Sequence, residues 1–433
     1  MRSLLVLYPY PPTRTPGFRF RIPGAQRRLR TRPRLPPPPD PNERTNEGVS
    51  VADRQDTRGR LPAPFGPVAA RFDGVRRILV LRGGGLGDLL VVEPALAALA
   101  AAYPGAELTL LGTGAHHRLL RARPGPIHHV EELPAGRELR AGSEHAAGHL
   151  RLVQRLRRQE FDVAVQLHGG GRESNPFLLE IGARHVVGMA TPDAPTLERT
   201  LPYAQTQHEL VRALEVVGLA GAAPVTLEPF LAVTGAERRR GTQLLPAGSG
   251  PVVAIHPGAT DPRRRWPAER FGHVARAALA AGARVVVLGD EAERGLADAV
   301  LAAAVRPASV PSFSGPAQPV SLAGRIDLAG LVGVLAETDI LVANDSGPRH
   351  LAQAVGTATV SLFWIGNLLS AGPLMRARHR VHVSWTMTCS RCGADFSGPV
   401  RCVHDDSVVA GLQVEPVIDD VRDLMARNHP PRG

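Results

Sequence analysis

Lysine is absent from this sequence, because all 51 basic residues among its 433 are arginines. Cysteine is scarce, and three cysteines exclude a disulfide scaffold and indicate a reducing compartment. Aromatic residues make up only 4%, which argues against a stacking platform for single-stranded nucleic acid. No apolar run reaches the roughly 18 residues of a membrane-spanning helix, so we expect no integral membrane protein.

The net charge of +11 is distributed unevenly along the chain. Residues 1–70 hold 13 arginines against 5 acidic residues, which leaves only +3 for the remaining 363 residues. The exclusive use of arginine indicates a compositional bias of the genome more than selection for phosphate contacts. We therefore expect no nucleic-acid partner.

Residues 1–70 also contain 14 of the 40 prolines and show no sustained hydrophobic periodicity. Such a segment cannot bury enough apolar surface to offset its ordering entropy. The sequence predicts a disordered extension that is dispensable for the fold and for activity. Two other interpretations stay open: a start codon placed too far upstream, or a basic arm that touches anionic lipid headgroups at the inner membrane face.

From Arg77 onward, short apolar runs alternate with helical stretches and glycine-rich turns. This alternation predicts parallel sheets with helices on both faces, an α/β fold. The predicted strands are residues 78–81, 107–112, 161–167, 252–256, 284–288, 339–343 and 359–363, with helices to Tyr103, over 268–281, to Val355 and over 417–425. The length of the chain predicts more than one hydrophobic core. Ligands of such sheets bind beyond the carboxyl ends of the strands.

The pattern loosens near residues 222–250 and then restarts, which predicts two doubly wound domains in tandem. We place a first domain at residues 75–240 and a second, nucleotide-sugar-type domain at residues 250–385. Residues 386–433 would form a cysteine-containing loop and a last helix that packs back on the first domain. The two domains would share a cleft.

The first loop that carries chemistry is RGGGLGD at residues 82–88, between a strand and a helix. It differs from the dinucleotide fingerprint, because Asp88 stands at the third glycine position and would repel a pyrophosphate. A dehydrogenase is therefore disfavoured. Asp88 either caps the helix or acts as a base in the cleft, and the neighbouring Gly85 and Gly87 allow a substrate hydroxyl to approach closely.

Two further loops follow strands of the second predicted domain. One starts at His256 and carries three successive arginines at 263–265, a cation density suited to a diphosphate. The other, residues 344–350, places Ser346 and Gly347 before a helix whose free N–H groups can bind phosphate oxygens. Taken singly, each could be an ordinary solvated or capping loop; together they favour a phosphate-binding cleft.

These loops resemble those of the heptosyltransferase-type glycosyltransferases, glycosyltransferase family 9. The matching motifs are residues 82–88 with 93–96, residues 256–259 with 265–271, and residues 344–352, of which the last is the most characteristic. The resemblance runs from about Arg77 into the C-terminal region. It implies a GT-B fold, two Rossmann-like domains facing a cleft. Members transfer a sugar, typically heptose from ADP-heptose, to the growing core of lipopolysaccharide on the cytoplasmic side of the membrane.

By this resemblance Asp88 is the general base that deprotonates the attacking sugar hydroxyl, and transfer inverts the anomeric centre. Arg264 stands where the family commonly has a lysine that meets the donor phosphates. The donor-binding residues implied are Gly258, Arg264, Glu293, Asp345, Ser346, Gly347 and His350, with Gly85 and Gly87 in the acceptor-side loop. The nucleotide sugar is a substrate, so no cofactor is expected. Glu93 departs from the small hydroxylated residue usual in the family, so the acceptor preference can differ.

The three cysteines lie together as Cys389, Cys392 and Cys402, followed by His404. We expect reduced thiols without a metal, although the spacing also suits a zinc site. His168 and His208 are expected to pack or to cap helices.

The favoured function is an inverting glycosyltransferase that uses a nucleotide-diphosphate sugar, with a glycolipid or glycan acceptor and peripheral contact with the membrane. The alternatives are a related GT-B enzyme for another polysaccharide or small molecule, or a non-catalytic nucleotide-sugar-binding protein. An Asp88 turned away from the cleft would favour the non-catalytic alternative.

Overall fold

The computed structural model describes residue 66 and residues 68–133, 146–305, 318–396 and 402–428. The predicted extension at residues 1–70 therefore falls almost wholly outside the described residues. Within the described ranges, no helix is both long and apolar enough to cross a membrane.

The first lobe is built on a six-stranded parallel sheet with the order β3-β2-β1-β4-β5-β6. Its strands are β1 Arg77–Leu81, β2 Glu107–Gly112, β3 His129–Glu132, β4 Val163–Gln166, β5 His185–Ala190 and β6 Arg199–Pro202. Its helices are α1 Leu86–Val91, α2 Glu93–Ala102, α3 Gly114–Leu120, α4 Ala146–Arg157, α5 Ser174–Ile181 and α6 Glu209–Leu219.

The second lobe repeats this plan with the order β12-β11-β10-β7-β8-β9. Its strands are β7 Val252–His256, β8 Arg284–Val287, β9 Val320–Ser321, β10 Ile340–Asn344, β11 Ala358–Trp364 and β12 His379–Ser384. Its helices are α7 Gly235–Leu244, α8 Ala268–Ala280, α9 Arg294–Ala304, α10 Leu328–Ala336, α11 Gly347–Ala354, α12 Ile365–Ala371 and α13 Glu415–Asn428.

The two sheets share one topology, and this decides where the loops with chemistry lie. In each sheet the first strand is central and the strand order reverses beside it, between β1 and β4 and between β7 and β10. Both central strands are continuous apolar runs covered on both faces, so β7 is buried over its whole length and β1 from its second residue onward. Ligands of open α/β sheets bind at such a reversal.

The glycine loop leads into two helices, where the sequence predicts one continuous helix to Tyr103. Helix α1 ends at Val91, and α2 begins at Glu93 after a break at Val92. Pro94 explains the break, because proline lacks an N–H and its ring clashes with the carbonyl four residues earlier. The helix that follows Asp88 is therefore short.

The boundary between the lobes lies earlier than predicted. Helix α7 packs against α10 of the second lobe, and Leu231 N–H already donates to the Ala354 carbonyl at 2.8 Å. The predicted limit of the first domain at residue 240 therefore falls inside a helix that belongs to the second lobe. The chain passes between the lobes after α6.

The prediction that the last helix packs back on the first domain is wrong. Helix α13 packs on α8, β10 and β11 of the second lobe. Its apolar face, with Val417, Val421 and Leu424, joins the core around β7 and α8, and Asp423 pairs with Arg380 of β12 at 2.9 Å. The amphipathic pattern indicates a buried face but not which lobe covers it.

Candidate active site at the meeting of two loops

Asp88 sits where the first-lobe loop becomes helix α1. Its Oδ2 accepts a hydrogen bond from the Gly85 N–H at 2.7 Å, so Asp88 does cap the helix, as one of the two sequence interpretations holds. The side chain is nevertheless 52% exposed. Capping uses one carboxylate oxygen, and the side chain remains open to solvent. A helix cap and a general base, the two interpretations from the sequence, are therefore compatible.

Arg82, directly before the glycines, anchors this loop. Its Nη2 contacts Asp88 Oδ1 at 3.3 Å and Glu209 Oε2 at 2.8 Å, while Nη1 donates to the Leu167 carbonyl at 2.7 Å. Burial would raise the pKa of Glu209, but the charges of Arg82 and Arg212 outweigh it and hold that pKa below its ordinary value. The loop is thus fixed to β4 and to α6 by one buried guanidinium.

Two histidines frame the glycines, of which His116 is buried and His168 partly buried. His116 Nε2 lies 2.9 Å from the Gly85 carbonyl, and His168 Nδ1 accepts from the Gly83 N–H at 3.3 Å. Burial lowers the pKa of both imidazoles, so both are neutral at physiological pH. The sequence predicts packing or capping roles for His168 and His208; His208 caps α6 by accepting from Leu210 N–H at 3.2 Å.

In the second lobe, the loop after β10 holds a fully buried carboxylate. Asp345 Oδ2 accepts from Arg264 Nη1 and from Asn367 Nδ2, each at 2.9 Å, and Oδ1 lies 3.4 Å from His350 Nε2. Burial would raise the pKa of Asp345, but its hydrogen bond to His350 and the charge of Arg264 hold it far below its ordinary value. The predicted donor residues Arg264, Asp345 and His350 are therefore one network.

Arg349 adds a second buried cation beside this carboxylate. Burial lowers its pKa to about 10, against the opposing charge of Asp345, so it remains charged at neutral pH. Its Nη2 donates to His350 Nδ1, which assigns the His350 proton to Nε2, facing Asp345. With one carboxylate, two guanidiniums and a neutral imidazole, the network carries a net positive charge.

The remaining donor-side residues form a chain of hydrogen bonds through His256, the last residue of β7. Ser346 Oγ lies 3.1 Å from His256 Nδ1, and His256 Nε2 lies 3.2 Å from Glu293 Oε2. Burial would raise the pKa of Glu293, but its bond to His256 holds it below the ordinary value. Gly258 lies against Glu293, where a Cβ would overlap the carboxylate. Gly347 begins α11 beside Ser346.

The two lobes bring these loops face to face. A Cβ at Gly87 would lie 2.8 Å from His350 Cδ2, and Leu86 Cβ lies 3.9 Å from the corresponding position at Gly347. Only a glycine permits so close an approach. Burial lowers the pKa of His350, and Asp88, one residue beyond Gly87, is close enough for its charge to oppose that shift. The predicted acceptor-side and donor-side residues thus converge on one cleft.

Glu93 does not join this cleft. Its carboxylate is buried and accepts the Phe230 N–H at 2.8 Å, in the segment that links the lobes. Burial raises its pKa to about 7. Its departure from the family pattern therefore bears on the link between the lobes, and the geometry gives no support to an altered acceptor preference.

Sequence reasoning misses several residues of the site. Arg82 contacts Asp88, Asn367 donates to Asp345, and Arg349 donates to His350 of the same network. Asn344 joins β10 to the loop with the three arginines at 263–265, the arginine loop, by accepting from Trp266 N–H at 3.0 Å. The position of Arg82, between a strand and the glycines, is a local signal that indicates a role in the site. Asn367 offers none, because its partner lies 22 residues away.

The three cysteines and His404 form a separate cluster. Their ligand atoms all lie within 4.8 Å of one another. Backbone N–H groups of Cys392 and Arg391 lower the pKa of the Cys389 thiol to about 6. The structure thus brings together all four residues of the zinc alternative. The sequence instead favours reduced thiols without a metal.

Comparisons with known proteins agree with this site. The model of glycosyltransferase family 9 (heptosyltransferase) matches residues 149–394, more than half of the chain. The chain is 25% identical to lipooligosaccharide heptosyltransferase 2 of Haemophilus influenzae, over 66% of this chain and 82% of that protein. It is 26% identical to lipopolysaccharide heptosyltransferase 1 of Pseudomonas aeruginosa, over 73% and 86%.

A solved structure of the Escherichia coli ADP-heptose lipopolysaccharide heptosyltransferase II has the same fold. It superposes with a TM-score of 0.61 at 20% identity, covering 81% of this chain and 99% of that one. This likeness confirms the predicted GT-B fold, two doubly wound lobes facing a cleft.

Proposed function

Because the chain belongs to glycosyltransferase family 9, it is a glycosyltransferase, and we propose that it transfers heptose from ADP-heptose to a lipopolysaccharide-type core acceptor. The names of its relatives support this choice of sugar and acceptor, and the E. coli protein of similar fold is named for ADP-heptose. The observation that carries the proposal is the approach of the Asp88 loop to the loop of Asp345 and His350 across the cleft.

Asp88 acts as the general base. Its exposed carboxylate takes the proton from the acceptor hydroxyl as that oxygen attacks the anomeric carbon, and the bond to the donor phosphate breaks. A single carboxylate suffices for one displacement, which inverts the anomeric centre. The Gly85 N–H and Arg82 hold the carboxylate in place.

The second lobe binds the donor. The N-terminus of α11, starting at Gly347, offers unpaired N–H groups to the diphosphate, and Ser346 adds a hydroxyl. The positive charge of the Asp345 network, with Arg264 and Arg349, stabilises the charge that develops on the leaving diphosphate. Glu293, on the far side of His256, faces the nucleoside.

The proposed mechanism places the phosphates at a helix terminus and at guanidinium groups, without a divalent metal. We therefore expect no loss of turnover in excess chelator that magnesium or manganese restores. A complete loss that magnesium or manganese restores would contradict this expectation. A loss that only zinc restores would instead implicate the cysteine cluster.

The acceptor is a glycolipid, so the enzyme would work at the cytoplasmic face of the membrane by peripheral contact. Binding to vesicles that carry the lipopolysaccharide core precursor, compared with vesicles that lack it, tests this part of the proposal. Equal binding to both would contradict recognition of the acceptor.

A donor screen tests the proposal as a whole. Thermal unfolding is measured with ADP-, GDP-, UDP- and dTDP-sugars, and a donor at 100 times its dissociation constant should add about 2.7 kcal/mol. We expect ADP-heptose to stabilise most and to yield a heptosylated core acceptor by mass spectrometry. Transfer to another glycan only would indicate a related enzyme. Binding without any transfer would indicate a non-catalytic protein.

A further inference from the structure

We propose that Cys389, Cys392, Cys402 and His404 form a closed tetrahedral site for a structural Zn²⁺ ion. Their ligand atoms lie within 4.8 Å of one another, and Cys389 Sγ is 3.5 Å from His404 Nδ1. A tetrahedral zinc with Zn–S bonds of about 2.3 Å places its sulfurs roughly 3.8 Å apart, so small side-chain movements bring the four atoms onto one ion.

The backbone around the first two cysteines is already shaped for a metal-bound thiolate. Cys389, Cys392 and Gly393 lie in one tight turn, closed by a hydrogen bond from Gly393 N–H to the Cys389 carbonyl at 2.9 Å. Gly393 has φ +69°, a value that favours glycine. The N–H groups of Arg391 and Cys392 point to the Cys389 sulfur, the outer-shell support that metal ligands usually have.

Hydrophobic burial holds only one end of this segment, where Phe396 packs edge-on against Trp364. Trp385, Met387 and Val403 are 72%, 40% and 91% exposed. A loop with so little apolar core is stabilised by a covalent or metal cross-link. A disulfide would leave one of the three cysteines unpaired, whereas three thiolates and one imidazole complete the ligand set of a structural zinc. With no open coordination position, such an ion has no catalytic role.

The zinc site would brace the arginine loop of the cleft. The segment that directly follows His404 binds that loop on both sides of Arg264. Val408 N–H donates to the Arg263 carbonyl at 2.8 Å, and Ser407 Oγ donates to the Arg265 carbonyl at 2.5 Å. The metal would thus fix the backbone that presents Arg264.

Metal content of the full-length protein tests the proposal. The protein is purified without chelator from zinc-supplemented medium, and the metal is measured by plasma mass spectrometry. We expect about one zinc per chain, and its loss in Cys392→Ser and Cys402→Ser. Ser390→Ala, an exposed non-ligand in the same turn, is the matched control and should keep the metal.

A spectroscopic measurement on the wild-type chain keeps the test independent of how the variants fold. Co²⁺ in place of zinc should give the intense visible bands of a tetrahedral thiolate site together with sulfur-to-metal charge transfer. Absence of both bound zinc and these bands would overturn the proposal, as would a disulfide between two of the cysteines in freshly purified protein. One equivalent of iron instead of zinc would overturn the choice of metal.

Discussion

Each lobe buries a carboxylate, and the two behave in opposite ways. Glu93 in the first lobe is 8% exposed and Asp345 in the second is 4% exposed. Burial raises the pKa of Glu93 to about 7, because a single backbone N–H, from Phe230, opposes it. Burial acts in the same direction on Asp345, yet its pKa falls far below its ordinary value, because His350, Arg264 and Arg349 surround it. Depth alone therefore does not decide the charge state; the neighbours do.

Asp88 completes the comparison as an exposed carboxylate between the lobes. It has one backbone donor and a partial ion pair with Arg82, and its side chain is 52% exposed. The lowered pKa of Asp345 keeps it an anion at neutral pH, paired with Arg264 and acted on by the charge of Arg349. In the proposed mechanism the first lobe supplies the acid–base group, and the second lobe a fixed charge distribution.

The largest effect is expected at Asp88. Asp88→Asn keeps an oxygen for the Gly85 N–H and caps a helix about as well, so melting temperature and donor affinity should stay near wild type. Turnover should fall by about 10²–10⁴-fold, the range for a lost general base. Asp88→Ala should additionally lose roughly 1 kcal/mol of stability. Turnover, melting temperature and donor binding are measured on both variants.

Asp327→Asn is the matched control for Asp88. Asp327 caps α10 through Gly330 N–H at 2.9 Å and pairs with Arg240 at 3.0 Å, and it is not part of the loops at residues 82–88, 263–265 and 344–350. The control should retain turnover. A stable Asp88→Asn protein with near wild-type turnover would remove Asp88 from the mechanism.

A change at Asp345 tests whether its charge holds the second lobe together. Asp345→Asn removes the ion-pair partner of Arg264 and also the negative charge that acts on buried Arg349, and breaking a buried ion pair costs about 3–5 kcal/mol. Chemical denaturation at pH 7 measures this loss. Asp162→Asn, which removes a partly exposed partner of Arg184, should cost much less. Equal stability of wild type and Asp345→Asn would contradict the network as drawn.

Glu93 should make stability depend on pH in the opposite sense to a paired carboxylate. Its pKa rises from 4.5 to about 7 on folding, so between these values the folded protein holds a proton that the unfolded chain has released. The free energy of unfolding therefore falls as pH rises through this window. Glu93→Gln removes this dependence and should be more stable than wild type at pH 8, by at most about 3 kcal/mol.

Denaturation of both proteins at pH 4 and pH 8 measures the difference, which should be close to zero at the lower pH. Glu107→Gln, at an exposed position, is the control. A constant difference between Glu93→Gln and wild type at both pH values would show that Glu93 keeps its ordinary titration in the folded protein.

Much of the fold follows from the sequence because the central strands are continuous apolar runs that end in turns. β7 has the bounds that its apolar run predicts, and β10 lies one residue later than predicted. The predictions from the sequence omit β3, β5, β6, β9 and β12. The four edge strands among them, β3, β6, β9 and β12, are partly exposed, whereas β5 is a buried apolar strand that sequence reasoning misses. The edge strands form by pairing with their neighbours, and a local pattern does not contain that information.

The candidate site likewise has a part that local sequence predicts and a part that it does not. The loops are predictable, because glycine, proline and aspartate at strand ends are local signals. The partners that set their charges are not, since Asp345 meets Arg264 across 81 residues and Arg82 meets Glu209 across 127. Which face of α13 is buried could be predicted from its periodicity, but the lobe that covers it is a tertiary property.

The smallest effect is expected at Arg264, the arginine that we propose contacts the donor phosphates where the family commonly has a lysine. Arg264→Gln removes one charged hydrogen-bond donor, and such a bond contributes about 1.5–3 kcal/mol, so donor affinity should fall by roughly 10–100-fold. Arg264→Lys restores the charge but not the planar guanidinium fork, so its donor affinity should lie between those of wild type and Arg264→Gln. Calorimetric titration with ADP measures the affinity of all three proteins.

Arg238→Gln, which removes a surface partner of Glu337, is the control and should bind ADP as wild type does. If Arg264→Gln also bound ADP unchanged, Arg264 would serve only to neutralise Asp345, and the positive charge of the cleft would rest on Arg349 and the α11 N-terminus.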